Sequence, residues 1–287
     1  MRNPLSTADG NTRASLRRAL RGMGYEVIPF AKTEGEVVKY VPLEVPLTVT
    51  ASPSKGQDAT VDLATRLAGH GYSVAPHLSA ALVRDRAHLA TIVSRCVDAG
   101  ITKVFVVGGD RDGDAGLFPD ALALLRALHD LEHGFTDIGI GGHPEGHPAV
   151  SDEVMMQAMA DKASLATSIT TQIVFDADVI VSWARDLASR GIDLPVHVGI
   201  PGAVHRSKLI RVSGNLGIGQ SAKFLTRQQG MLWRFFVPGG YNPNKIIKGL
   251  APYLGRPDNH LGGFHVFTFN DLGPTEAWRD ETVRKLA

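Results

Sequence analysis

The chain has a single cysteine, Cys96, in 287 residues. No internal disulfide can form, no thiolate metal site can be built, and nothing in the sequence demands an oxidising compartment. Aromatic residues are scarce at 7%, so apolar volume must come from Val, Ile, Leu and Ala, as in parallel α/β cores. Neither sign of charge dominates. Lys+Arg number 30 against Asp+Glu 29, a formal net charge of +1, which offers no general pull on nucleic acid or an anionic membrane. No stretch approaches the ~18 uncharged apolar residues of a membrane span. Residues 1–11 are polar and lack the apolar run of a secretory peptide. The expectation is a cytoplasmic protein without a nucleic-acid or membrane partner. Hydrophobic residues at 44% and charged residues at 21% exclude disorder, collagen and coiled coil.

Residues 1–24 read as an N-terminal extension. Its basic stretch, Arg13, Arg17, Arg18 and Arg21 with Leu16 and Leu20, reads as the solvated face of a short amphipathic helix. From Tyr25 onward short apolar runs alternate with helical patterns. Candidate strands are 25–29, 47–51, 72–78, 103–110, 137–143, 168–175, 195–201 and 263–269. Amphipathic segments of helical period occupy 33–41, 59–68, 84–99, 119–131, 152–165, 179–189 and 207–212. Gly71, Gly100 and Gly191 each stand between a helical pattern and the next strand, where a left-handed cap is needed. Eight strands separated by helices imply βαβ units and parallel pairing. Eight units in under 300 residues is the arithmetic of a single (β/α)8 barrel over 25–287. A doubly wound sheet competes, but no G-x-G-x-x-G follows the first strand. The long stretch from Asn215 to Gly262 reads as an inserted helical segment before the last strand. It holds helical patterns at 220–235 and 245–253 and a Pro/Gly turn at 238–243.

In a barrel, function sits at the C-terminal ends of the strands. There the sequence offers Glu26, Thr50, His77, Gly109 with Asp110, His143 with His147, and Thr170, Thr171 and Gln172. Polar groups at one end of otherwise apolar strands form the pattern of a site, because burying an unpartnered carboxylate is costly. A zinc site from His143, Glu145 and His147 is conceivable, but Pro144, Gly146 and Pro148 point to a shaped loop instead. No metal is expected.

Several segments resemble the methylenetetrahydrofolate reductases. Ala75-Pro76-His77-Leu78 is similar to that family's A-P-H-L-T segment, and Gly109-Asp110 to its R-G-D. His143-Pro144-Glu145-Gly146-His147-Pro148 is similar to its Y-P-E-x-H-P. Thr171-Gln172-Ile173-Val174-Phe175-Asp176 is similar to its T-Q-x-x-F-D. The first strand's Glu26-Val27-Ile28-Pro29, the Gly191–Pro195 entry to the seventh strand and the closing Gly263–Asn270 continue the likeness in order. The resemblance implies a (β/α)8 flavoprotein that passes hydride from NAD(P)H through FAD to 5,10-methylenetetrahydrofolate, giving 5-methyltetrahydrofolate. By it, Glu26 would be the acid that opens the folate imidazolidine ring. Asp110 would sit by the pterin and flavin, Gln172 would hydrogen-bond the pterin, and Phe175 would lie against the substrate. Thr50, His77, Gly109, His143, His147 and Lys162 would fall at flavin-contacting positions.

The sequence also departs from the family. Gly108 stands where the family has the Arg of R-G-D, and His143 where it has Tyr. The helix that would carry an Asp for the adenosine ribose reads Val154-Met155-Met156-Gln157-Ala158-Met159. Arg111-Asp112-Gly113-Asp114 is acidic where phosphate would approach. The expectation is weakly held FAD with the folate chemistry kept. Direct reduction of the folate by NAD(P)H without flavin, and a non-redox methyl-folate binding or transfer barrel, are the alternatives.

Overall fold

The computed structural model describes residues 10–109, 117–146, 150–205 and 243–286. Eight strands close into a barrel in the order β1 to β8, every pair parallel. They are β1 Gly24–Val27, β2 Leu47–Val49, β3 Val74–Ser79, β4 Lys103–Val107, β5 Asp137–Gly142, β6 Ser168–Thr171, β7 Val196–Pro201 and β8 Leu261–Phe267. Between them run α2 Thr33–Tyr40, α3 Gly56–Gly69, α4 Arg86–Asp98, α5 Ala121–His129, α6 Asp152–Ala163 and α7 Ala177–Ser189. An N-terminal helix, α1 Gly10–Arg21, precedes the barrel. α8 Asn244–Leu250, with a 3-10 turn at Ala251–Tyr253, leads into β8, and α9 Leu272–Lys285 ends the chain.

Caps fix where these helices begin and end. The side chains of Asp85, Asp120, Ser151 and Asp176 accept backbone N–H groups at the starts of α4, α5, α6 and α7, which satisfies donors a helix leaves open. Gly71, Gly100 and Gly191 end α3, α4 and α7 at φ of 93°, 72° and 76°.

All eight expected strands are present, each trimmed or shifted by a few residues. Lys245–Tyr253 is helical as expected. The expected helices at 207–212 and 220–235 lie outside the described residues. The sequence reading had no counterpart for α9, and the structure shows why. Its buried residues are Leu272, Thr275, Arg279 and Thr282, a largely polar face without an apolar stripe. A polar network organised around Glu276 ties it to β1, with Trp278 and Val283 partly packed on the core. Arg279 Nη2 and Nε donate to Glu276 at 2.8 and 2.9 Å, and the buried Tyr25 hydroxyl donates to Glu276 at 2.8 Å.

Strand alternation divides the core into two layers. Tyr25, Val27, Leu47, Val49, Val74, Val104, Val106, Ile138, Ile140, Ile169, Val196, Val198, Phe264 and Val266 are buried and face the helices. The other parity faces the barrel axis and is of a different character: Glu26, Thr48, Ala75, His77, Lys103, Phe105, Val107, Gly139, Ser168, Thr170, His197, His265 and Phe267. Branched apolar residues normally fill this axis. Here Phe105 and Phe267 supply bulk, and a Cβ on Gly139 would come within 2.6 Å of the Phe105 ring. The rest of the axis is largely polar.

Candidate active site

Glu26 sits on β1 in register with Phe267 of β8 and Thr48 of β2. The chain after β8 anchors it. Thr268 Oγ1 donates to the Glu26 carbonyl at 2.6 Å. The buried Asn270 side chain accepts from Ile28 N at 2.8 Å and donates to Ile28 O at 2.9 Å and Thr33 Oγ1 at 2.8 Å. To reach them Asn270 adopts φ 57°, a left-handed conformation that asparagine tolerates better than most residues.

The Glu26 side chain is only 15% exposed. One of its oxygens, Oε2, lies 3.4 Å from His265 Nε2 and 3.7 Å from His77 Nε2. His77 is held from behind by Gln57, whose side chain donates to His77 O at 2.7 Å and accepts from Ser79 N at 2.9 Å. Its ring tilts against Phe105 at 4.7 Å. Burial drives the His77 pKa down to about 4, with His265 adding to the fall and Glu26 opposing it. His77 is thus a neutral imidazole at neutral pH. Its Nε2 is buried, faces Glu26 and has no hydrogen-bond partner. Among the described residues no group of three His, Cys, Asp or Glu side chains converges to hold a metal ion.

The structure brings Glu26 and His77 together and sets other expected residues around the barrel mouth. Thr50 follows β2, with its N–H donating to Val27 O. Gly109 follows β4 at φ 81°, and a side chain there would strike Ser79 and Ala81. His143 follows β5. Gln172 follows β6, exposed, with its N–H donating to Gly142 O at 2.9 Å. Phe175 lies between β6 and α7, and Asp176 of the same segment caps α7. Lys162 occupies the last turn of α6. Burial lowers its pKa, and the carboxylate of Asp120 opposes that fall. Asp110 and His147 lie outside the described residues.

Beside this mouth a cleft of about 320 Å3 opens between the segment after β5, α6 and α7. Met155, Met156, Met159 and Trp183 supply its apolar walls. Its charged side chains are Glu145, Asp152 and Asp186, all acidic, with Asp186 paired to Arg190. The first turn of α6, a natural anion site, is occupied by Asp152 and Glu153. Among the described residues this donor set does not fit a diphosphate.

Sequence reasoning missed His265, His197, Thr268 and Asn270. A signal for the two histidines was present. Both fall at the parity of Glu26 and His77, on strands otherwise apolar, so alternation alone marks them as axis-facing.

The sequence model of the family described as Methylenetetrahydrofolate reductase matches residues 31–214, more than half of the chain. The chain belongs to the methylenetetrahydrofolate reductase family. The matched span includes His77, Gly109 and Gln172 but begins after Glu26 and ends before His265, so the roles of these two rest on geometry. Among solved structures, the C-terminal domain of a provisionally named chitinase from Desulfitobacterium hafniense DCB-2 is similar at 11% identity and TM-score 0.51, covering 93% of this chain and 98% of that one. A provisionally named lyase/mutase from Burkholderia cenocepacia J2315 is similar at 15% identity and TM-score 0.48, covering 96% and 87%. At 11% identity the first of these likenesses is one of fold alone. Among the described residues no helix is long and apolar enough to cross a membrane.

Proposed function

We propose that this member of the methylenetetrahydrofolate reductase family reduces 5,10-methylenetetrahydrofolate to 5-methyltetrahydrofolate with hydride from NAD(P)H. The observation that carries this reading is the carboxyl group of Glu26, nearly enclosed at the top of the barrel axis between two imidazoles. The reaction needs an acid there. Cleavage of one carbon–nitrogen bond of the folate ring leaves an electron pair on nitrogen, which takes a proton. The freed methylene carbon takes the hydride. One proton and one hydride enter and an oxidised nicotinamide leaves.

In this reading Glu26 donates the proton. His77, neutral and packed against Phe105, walls the carboxyl without competing for its proton, while His265 contacts it directly. Gln172, exposed at the rim, presents an amide to the donor–acceptor edge of the pterin, and Phe175 packs against the bound substrate. Asp110 is assigned the pterin by family resemblance. FAD would supply a two-electron relay, with Thr50, Gly109, His143 and His147 as its family contacts, but the acidic surroundings of α6 argue against a resident diphosphate. Acidic surroundings weaken the hold on any dinucleotide, but NAD(P)H need only bind and leave each turnover whereas a resident FAD must be held tightly. We therefore assign hydride transfer directly from NAD(P)H to the folate.

Glu26→Gln tests the assignment. The amide keeps the shape of the carboxyl group but has no acidic proton to give, and loss of a general acid lowers turnover by ~10²–10⁴-fold. Steady-state NAD(P)H oxidation dependent on methylenetetrahydrofolate should fall by that factor while the thermal midpoint stays close to wild type. Near-normal turnover in this variant would remove Glu26 from the chemistry.

A further inference from the structure

The polar axis of the barrel does not stop at Glu26. Below it, at the N-terminal ends of the strands, lies an open cavity of about 130 Å3, room for several water molecules. Its polar lining includes Thr48, Lys103, Asp137, Ser168, Thr170, His197 and His265. His265 belongs to both places. Its Nε2 faces Glu26 at 3.4 Å, and its Nδ1 lies 3.8 Å from where a Gly24 Cβ would stand, on the cavity wall. On the next strand His197 has its Nδ1 3.6 Å from the equivalent point on Gly263. At the rim Asp137 accepts from Ser168 Oγ at 3.2 Å and faces Lys103 at 3.9 Å. Thr48 Oγ1 is buried without a protein partner.

We propose that this cavity and His265 form a proton entry route from solvent at the N-terminal face of the barrel to Glu26. The inference rests on the reductase reading for its purpose. Each turnover consumes one proton, and the mouth above Glu26 is covered while folate and nicotinamide are bound. An imidazole with one nitrogen on the acid and the other on water is suited to this transfer. Nδ1 takes a proton from cavity water, Nε2 gives its proton to the Glu26 carboxylate, and a half-turn of the ring about Cβ–Cγ then brings the protonated nitrogen back to the Glu26 side for the next transfer. The titratable and charged groups facing the route are Glu26, His77, His197, Asp137 and Lys103. Burial and the neighbouring His265 lower the His197 pKa, so this ring is neutral at neutral pH.

The test reads solvent exchange of the His265 ring N–H protons by NMR on histidine-labelled protein. In the wild type, exchange should stay fast when 5-methyltetrahydrofolate and oxidised nicotinamide occupy the mouth. Ala75→Leu and His197→Phe fill the cavity, and exchange should then slow by about tenfold or more because it must await local opening. His197→Asn leaves the cavity open and polar and should keep exchange fast. Exchange that stops when the mouth is occupied, or that ignores both filling variants, overturns the route. Wild-type protein that fails to oxidise NAD(P)H, yet shows exchange governed by the cavity variants, would sink the reductase reading and leave the route standing.

Discussion

His77 sits where burial acts against the charged form of an imidazole, and its pKa falls from the ordinary 6.5 to about 4. The unfolded chain therefore binds more protons than the folded one between those two values. Stability is full above pH 6.5 and drains away as pH falls toward 4. The shift corresponds to a loss on the order of 3 kcal/mol once the pH is below both values. His77→Gln removes the titrating group. The variant should lose less thermal midpoint than wild type between pH 6.5 and 4.5, read by circular dichroism melts at both pH values. Equal losses would show that another group governs the acid limb. The same residue shows what single letters conveyed. His77 was marked by its place at the end of an apolar strand, but its partners, Gln57 and His265, stand 20 residues before it and 188 after it, and no local pattern links them.

At the level of elements, the join between β8 and β1 places the acid. Asn270 ties the two strand ends through three buried hydrogen bonds, and Thr268 adds a fourth to Glu26 itself. Asn270→Ala leaves the Ile28 N–H buried without its partner, while Ile28 O keeps Phe30 N and Thr33 Oγ1, and it forces alanine into a left-handed backbone. An unmet buried donor costs about 1–3 kcal/mol and the left-handed residue about 1–2, so destabilisation of about 2 kcal/mol or more is expected in urea unfolding. Asn270→Gly relieves the backbone but not the missing bonds. It should recover only the smaller part of the loss, and full recovery would show that the hydrogen bonds contribute little. Strand and helix positions were legible because apolar periodicity and capping residues are local signals. α9 was not legible because its docking depends on the Tyr25–Glu276–Arg279 network, which joins residues about 250 positions apart.

For the whole molecule, the question is what supplies the hydride. The barrel and its mouth follow from eight βα units, and family membership brings folate as the expected substrate class. The cofactor does not follow from the fold, because it depends on a few charges around the mouth. A flavin diphosphate is normally met by Arg, Lys, backbone N–H groups or a helix N-terminus. Here Gly108 stands in place of the family's arginine, Asp152 and Glu153 fill the first turn of α6, and among the described residues the charged side chains of the adjoining cleft are acidic. Each missing charge-assisted bond costs ~1.5–3 kcal/mol, or about tenfold to a hundredfold in affinity. The purified protein should therefore be colourless, without the flavin band near ~450 nm that belongs to the chromophore and is only tuned by protein. It should oxidise NAD(P)H in the presence of methylenetetrahydrofolate without added FAD, and added FAD should leave the rate unchanged. A yellow protein that keeps stoichiometric flavin through dialysis would refute the electrostatic argument. Activity that appears only on adding FAD would restore the flavin to the hydride path and assign it to residues beyond the acidic cleft.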